Sequence, residues 1–231
     1  MERLRIGDVP ALAAYATSPE AGGARGTVLV YHPLGKDKSL HAEDLERLAA
    51  RGFLALGIDA IAHGERRPAD AWARFRADPL GAFLEVVSAT AAEVPGVIDE
   101  LVAHGWATPG RIGIAGVSLG GFIAYAAAIA DRRIAAAACV NDSPSWGEDP
   151  GSPDRRLGAF WPLALLSVTA AEDPMVPPGP ARALHEELAP RYAAAPERLR
   201  YVELPGERHH MSPGAVARAR DEVERWFERF L

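Results

Sequence analysis

The chain lacks several things, and each absence removes a class of function. It has one cysteine, Cys139, set in the apolar run from Ile134 to Val140. A single cysteine cannot close an internal disulfide, so the fold rests on its core, a pattern compatible with a reducing compartment. There is no basic stripe: 31 acidic residues outnumber 25 basic ones, and the two signs are interspersed. A protein that tracks a phosphate backbone needs the opposite bias, so nucleic acid is not an expected partner. No apolar run follows Met1-Glu2-Arg3-Leu4-Arg5, and no segment reads as the roughly 20 apolar residues that span a bilayer. A cytoplasmic location and no membrane partner are the expectation. Adjacent His209-His210 has no carboxylate at ligand spacing, so no metal site is expected. Lys36 and Lys38 follow a loop with one glycine, which is not a phosphate-binding loop. No internal repeat or interdomain linker is visible, and nothing specifies an oligomeric state.

What is present is one hydrophobic core's worth of chain. With 231 residues, 48% hydrophobic, the sequence suits a single α/β domain over 1–231. Continuous apolar runs at 27–31, 53–58, 111–117, 134–140, 162–169 and 199–204 read as strands covered on both faces. Helical patterns lie between them, near 39–51, 82–104, 119–130, 179–190 and 214–230. Residues 1–16 read as an antiparallel hairpin at a sheet edge, and Ala21-Gly22-Gly23-Ala24 as a turn. The sum is a mainly parallel sheet of about eight strands with helices on both faces. Ligands of such sheets bind beyond the C-terminal strand ends.

The chemistry concentrates at those ends. Gly116-Val117-Ser118-Leu119-Gly120 joins a strand to a helix, the setting of a nucleophile elbow in a serine hydrolase. A serine hydroxyl is a weak nucleophile and needs a base, itself oriented by an acid. The loop after the last strand offers His209 and His210 as bases. The loop after the preceding strand offers Glu172 and Asp173 as acids, and Asp142, after the strand 134–140, is a third. The order serine, acid, histidine matches the hydrolase order.

These motifs, with Tyr31-His32-Pro33-Leu34-Gly35 and Asp59-Ala60-Ile61-Ala62-His63-Gly64-Glu65-Arg66, give the chain its resemblance from about residue 26 onward. It resembles the α/β-hydrolase superfamily, closest to small carboxylesterases and to dienelactone-hydrolase-like or prolyl-oligopeptidase-like lipolytic enzymes. The resemblance implies Ser118 as nucleophile, Asp173 as acid and His209 as base. It implies an oxyanion hole from the Leu119 N–H and from the Leu34 N–H, the donor position that follows the His32-Pro33 pair. No cofactor is implied, and the expected partner is a small-molecule ester. Trp146, Trp161 and Met175 are candidate pocket walls, and residues 64–81 and 141–161 are candidate short lids. Short lids imply an open pocket for small or medium acyl groups. The same machinery serves thioesterases, peptidases and C–C hydrolases, and the fold also occurs in non-catalytic binding proteins.

Overall fold

Six apolar runs in one chain leave few ways to bury them, and a computed structural model describing residues 1–231 stacks them in one sheet. Its strands are β1 (Glu2–Ile6), β2 (Val9–Ala14), β3 (Thr27–Tyr31), β4 (Leu54–Ile58), β5 (Ile112–Val117), β6 (Ile134–Val140), β7 (Ala164–Ala170) and β8 (Leu199–Leu204), in the order β1-β2-β4-β3-β5-β6-β7-β8. β1 and β2 form the antiparallel hairpin, β2 runs antiparallel to β4, and β3 through β8 are parallel. Helices α4 (Pro79–Ala103), α5 (Leu119–Ala130) and α6 (Gly179–Leu188) cover one face of the sheet. Helices α2 (Ala42–Ala50) and α7 (Pro213–Phe230) cover the other. This is the expected α/β-hydrolase architecture.

Four local readings differ, each for a physical reason. The glycines at 22–23 lie within a short helix, α1 (Pro19–Arg25), capped by the Ser18 hydroxyl, which accepts from the Ala21 N–H at 3.2 Å. They are there for close approach: a Cβ at either would meet the backbone of Leu54 or Trp106. The helix read near 39–51 begins later than Ser39. Ser39 lies in a 3-10 turn, Lys38–His41, capped by the Asp37 carboxylate, and α2 begins at Ala42. Another short helix, α3 (Ala71–Ala77), forms inside the 64–81 segment, where no helix is read.

The fourth correction concerns α4. Its 25 residues include a window of mean hydropathy 1.3, long and apolar enough by length and composition to cross a membrane. Glu85 and Glu93 break the run to the eye while its alanines and valines carry the average. In the fold one stripe of it, Val87, Val94, Val97, Ile98 and Leu101, is buried in the core shared with α5 and the sheet.

Candidate active site

The elbow is forced by sterics. Ser118 sits between β5 and α5 at φ 54°, ψ −118°, a conformation that costs a non-glycine residue of order 1–3 kcal/mol. The glycines around it make the turn possible. A Cβ at Gly116 would strike the Gly120 backbone, and one at Gly120 would strike the Tyr31 carbonyl. The Ser118 N–H donates to the Val140 carbonyl at 2.8 Å, pinning the turn to the neighbouring strand.

Two loops converge on the half-buried Ser118. The Ser118 hydroxyl lies 3.0 Å from His209 Nε2, and His209 Nδ1 lies 2.6 Å from Asp173 Oδ2. Asp173 is 4% exposed, and its other oxygen accepts the N–H groups of Met175 and Val176 at 2.9 and 3.0 Å. One oxygen is thus held by its own turn while the other meets the imidazole, so the ring has Nδ1–H toward Asp173 and its lone pair toward serine.

The rivals lie elsewhere. His210 is exposed, with its ring edge-on to His209. Glu172 is exposed, and only its backbone N–H is engaged, by the Glu207 carbonyl at 2.9 Å. Asp142 is 1% exposed, and neither carboxylate oxygen has a hydrogen-bond partner. Its carboxylate fills the space that a Cβ on Gly121 would need. Burial holds its pKa well above the usual carboxylate range.

The two expected oxyanion donors are free. Leu119 is the first residue of α5, where a helix offers its N–H no internal acceptor. The Leu34 N–H donates to no protein acceptor. His32 orients it. Fully buried, this ring donates from Nδ1 to the Pro33 carbonyl at 2.9 Å and accepts the Ala60 N–H on Nε2 at 3.1 Å. In a trans peptide N–H and C=O point opposite ways, so fixing the Pro33 oxygen also aims the Leu34 N–H. Burial pushes His32 down to about 4, so the ring is neutral at pH 7. Below it, buried Asp59 accepts from Lys38 Nζ at 2.7 Å, from the Lys38 N–H at 2.9 Å and from the Glu65 N–H at 3.0 Å. The loops that follow β3 and β4 are thereby clamped together.

Beside Leu34 lies a cleft walled by Ile61, Val86, Trp72 and Phe75, with Arg67 and His63 among its polar lining. Its outer wall is α3, so part of the 64–81 segment does stand over this end of the sheet. Residues 141–161 instead fold into a loop braced by Ser152, whose hydroxyl accepts the Trp146 N–H at 2.8 Å. Of the candidate walls, Trp146 is half-buried in that loop against the apolar cluster that Leu34 also joins. Trp161 is a correction. The chain leaves the C-terminal end of β6 and must re-enter parallel β7 from the opposite end. Trp161 therefore sits just before β7 begins, packed edge-on against Tyr192, a sheet's length from Ser118. Met175 serves through its backbone, and its side chain is 65% exposed and lines no part of the cleft.

Asn141 is a residue that motif reading missed. It is buried at φ 51°, and its amide donates to the His209 carbonyl at 3.0 Å and accepts the Ala170 N–H at 3.0 Å. One side chain thus ties the histidine loop to the strand that ends in the acid loop. The available signal was its place, one residue past β6, beside a strand-end aspartate.

No protein-family model matches the chain. It is 26% identical to "Putative esterase YitV" of Bacillus subtilis (strain 168), over an alignment of 226 residues covering 85% of each chain. Among solved structures it is similar to TT1662 from Thermus thermophilus, with a TM-score of 0.77 and 25% identity over 98% of this chain and 97% of that one. It shares its fold with a dienelactone hydrolase from Anabaena variabilis ATCC 29413, with a TM-score of 0.66 and 21% identity over 100% and 96% of the two chains. The chain has the α/β-hydrolase fold, it is similar in sequence to a putative esterase, and dienelactone hydrolases are among the structures that share its fold.

Proposed function

We propose that the protein is a serine hydrolase cleaving carboxylic esters of small or medium acyl chain through Ser118, His209 and Asp173. One observation carries this reading: the Ser118–His209–Asp173 relay, 3.0 and 2.6 Å long, at a strained elbow. The esterase in the name of the Bacillus relative supports the bond type. His209 Nε2 takes the Ser118 proton as Oγ attacks the ester carbonyl, and Asp173 stabilises the resulting imidazolium. The negative charge on the tetrahedral oxygen meets the Leu119 and Leu34 N–H groups and the positive end of α5. His209 then gives its proton to the departing alkoxide, leaving an acyl-Ser118 ester and a free alcohol. Water, deprotonated by the same nitrogen, attacks that ester, releases the acid and returns the proton to Ser118. The apolar cleft beside Leu34 suits a hydrocarbon portion of the substrate.

The test is hydrolysis of a chain-length series of p-nitrophenyl esters by the wild type, Ser118→Ala and His209→Ala. Activity highest at short chains and lost in both variants is the expected result. Activity indifferent to Ser118 would remove the mechanism. A wild type inert on esters but active on thioesters or peptides would keep the triad and change the bond.

A further inference from the structure

In the strand order β4-β3-β5-β6-β7-β8, Ser118 follows β5 and divides the active face. On one side stand the loops after β7 and β8, which carry Asp173 and His209. On the other stand the loops after β3 and β4, with α3 and the N-terminal half of α4. These build the cleft lined by Leu34, Gly35, Ile61, Trp72, Phe75 and Val86. An ester seated for attack straddles this divide. Its carbonyl oxygen faces the Leu119 and Leu34 N–H groups, and its leaving oxygen must reach His209 Nε2 to take a proton. The acyl and alkoxy groups lie on opposite sides of the carbonyl. Placing the alcohol toward β8 therefore turns the acyl chain toward β4 and into the cleft.

The cleft is small. It has a volume of about 90 Å³, and since a cavity of about 150 Å³ holds benzene, it has room for roughly three or four carbons. Two rings of α3 close it. Trp72 packs over the loop of the Leu34 donor, where a Cβ on Gly35 would come within 3.2 Å of the indole. Phe75 meets Trp72 edge-on, with ring centroids 5.9 Å apart. Arg74 ties the helix to α4 by donating to both Glu85 oxygens at 3.0 Å. Trp72 lines the cleft and is also 43% exposed, so its indole is the wall between the cleft and solvent. We infer that Trp72 sets the upper limit of acyl length, fitting the site to chains with about three or four carbons beyond the carbonyl, butanoyl and pentanoyl. This inference rests on the ester-hydrolase reading and adds to it the half of the substrate that enters the cleft and the residue that measures it.

The full chain is assayed for kcat/KM on p-nitrophenyl esters from acetyl to octanoyl, and on acetates of alcohols from methanol to hexanol. A methylene buried in an apolar site is worth about fourfold. In the wild type, kcat/KM should rise by about that factor per carbon from acetyl to butanoyl or pentanoyl and gain nothing beyond. The acetates should show no break at that length. Trp72→Ala should raise the octanoyl-to-butanoyl ratio at least about tenfold, the effect of about two more methylenes under cover. Ala89→Leu, which adds side-chain carbons to the α4 side of the cleft, should move the optimum down to acetyl. A ratio taken within one variant cancels any loss of folded enzyme, and Trp72→Val replaces Trp72→Ala if the latter does not fold. Three outcomes overturn the proposal: a wild-type optimum at octanoyl, a ratio unchanged by opening the Trp72 wall, or a length break in the acetates instead of the acyl series. In all three, hydrolysis abolished by Ser118→Ala leaves the ester-hydrolase reading standing. Absence of any Ser118-dependent ester hydrolysis removes both.

Discussion

The molecule contains two serine–histidine pairs at hydrogen-bond distance, and only one is built for nucleophilic attack. Ser118 and His209 are 3.0 Å apart; Ser167 and His185 are 2.8 Å apart. Distance alone would favour the second. The difference lies in what each pair is attached to. Ser118 is half-buried at a strained turn, and the far nitrogen of His209 meets a carboxylate. Ser167 lies inside β7, fully buried, and shares its hydroxyl with Tyr125 at 2.6 Å. No acid meets His185, and burial pushes it down to about 4. A ring held that far below neutral pH is a poor general base. The carboxylate and the elbow, rather than the contact itself, separate a nucleophile from a core hydrogen bond.

Removing each serine is the strongest way to break that comparison. Ser118→Ala is expected to lower kcat/KM on a p-nitrophenyl ester by roughly 10⁴-fold or more, with thermal stability little changed, because alanine keeps the Cβ at the same positive φ. Ser167→Ala should keep activity within about threefold and cost about 1–3 kcal/mol, because Tyr125 and His185 lose a buried partner. Equal losses of activity in the two variants would end the distinction.

The acids sharpen it next. Asp173→Asn leaves the shape but favours the wrong tautomer of His209, and a fall in kcat of roughly 10²–10⁴-fold is expected. Asp142→Asn changes a buried carboxyl that is hydrogen-bonded to neither Ser118 nor His209, so ester hydrolysis should stay within about threefold of wild type. A large loss at Asp142 would transfer the acid's role to the end of β6.

What the sequence made legible follows the same division. Strands with continuous apolar runs and loops at their C-terminal ends were readable because both depend on local pattern, and the elbow because its sterics demand glycine. Readings failed where a partner far along the chain decided the outcome. Gly22 and Gly23 look like a turn until Leu54 and Trp106 press against them. Trp161 looks like a pocket wall until the parallel crossover carries it to the far end of the sheet. Asn141 looks like loop until residues 29 and 68 positions away meet its amide.

The buried histidine also sets a pH dependence of stability. With His185 near 4 in the fold against 6.5 in an unfolded chain, the unfolded state binds more protons between those values. Stability is therefore full above pH 6.5, declines as pH falls toward 4, and is flat in this contribution below that. The difference corresponds to about 3 kcal/mol by linkage. His32, pushed down by burial to the same region, adds a decline of the same sign. Urea unfolding of wild type and His185→Phe at pH 7 and pH 4.5 measures it. The variant should lose less stability than wild type on acidification, whatever its stability at pH 7.

The smallest expected effect tests how the reactive pair keeps its geometry. Asn141 touches neither Ser118 nor the imidazole. It holds the His209 backbone and the end of β7, and so acts through position alone. Asn141→Ala removes both bonds and places alanine at a positive φ, so some stability is lost. Asn141→Gly accepts that φ freely, and Asn141→Asp keeps the acceptor for Ala170 but offers the His209 carbonyl no donor. If the side chain positions the base, all three should lower kcat by about 10–100-fold, since small misplacements of a catalytic group cost that much. KM should stay near wild type, because the cleft beside Leu34 is untouched. A merely structural asparagine would instead let Asn141→Gly keep wild-type kcat while melting earlier. The kcat of Asn141→Gly, measured well below its melting temperature, separates the two.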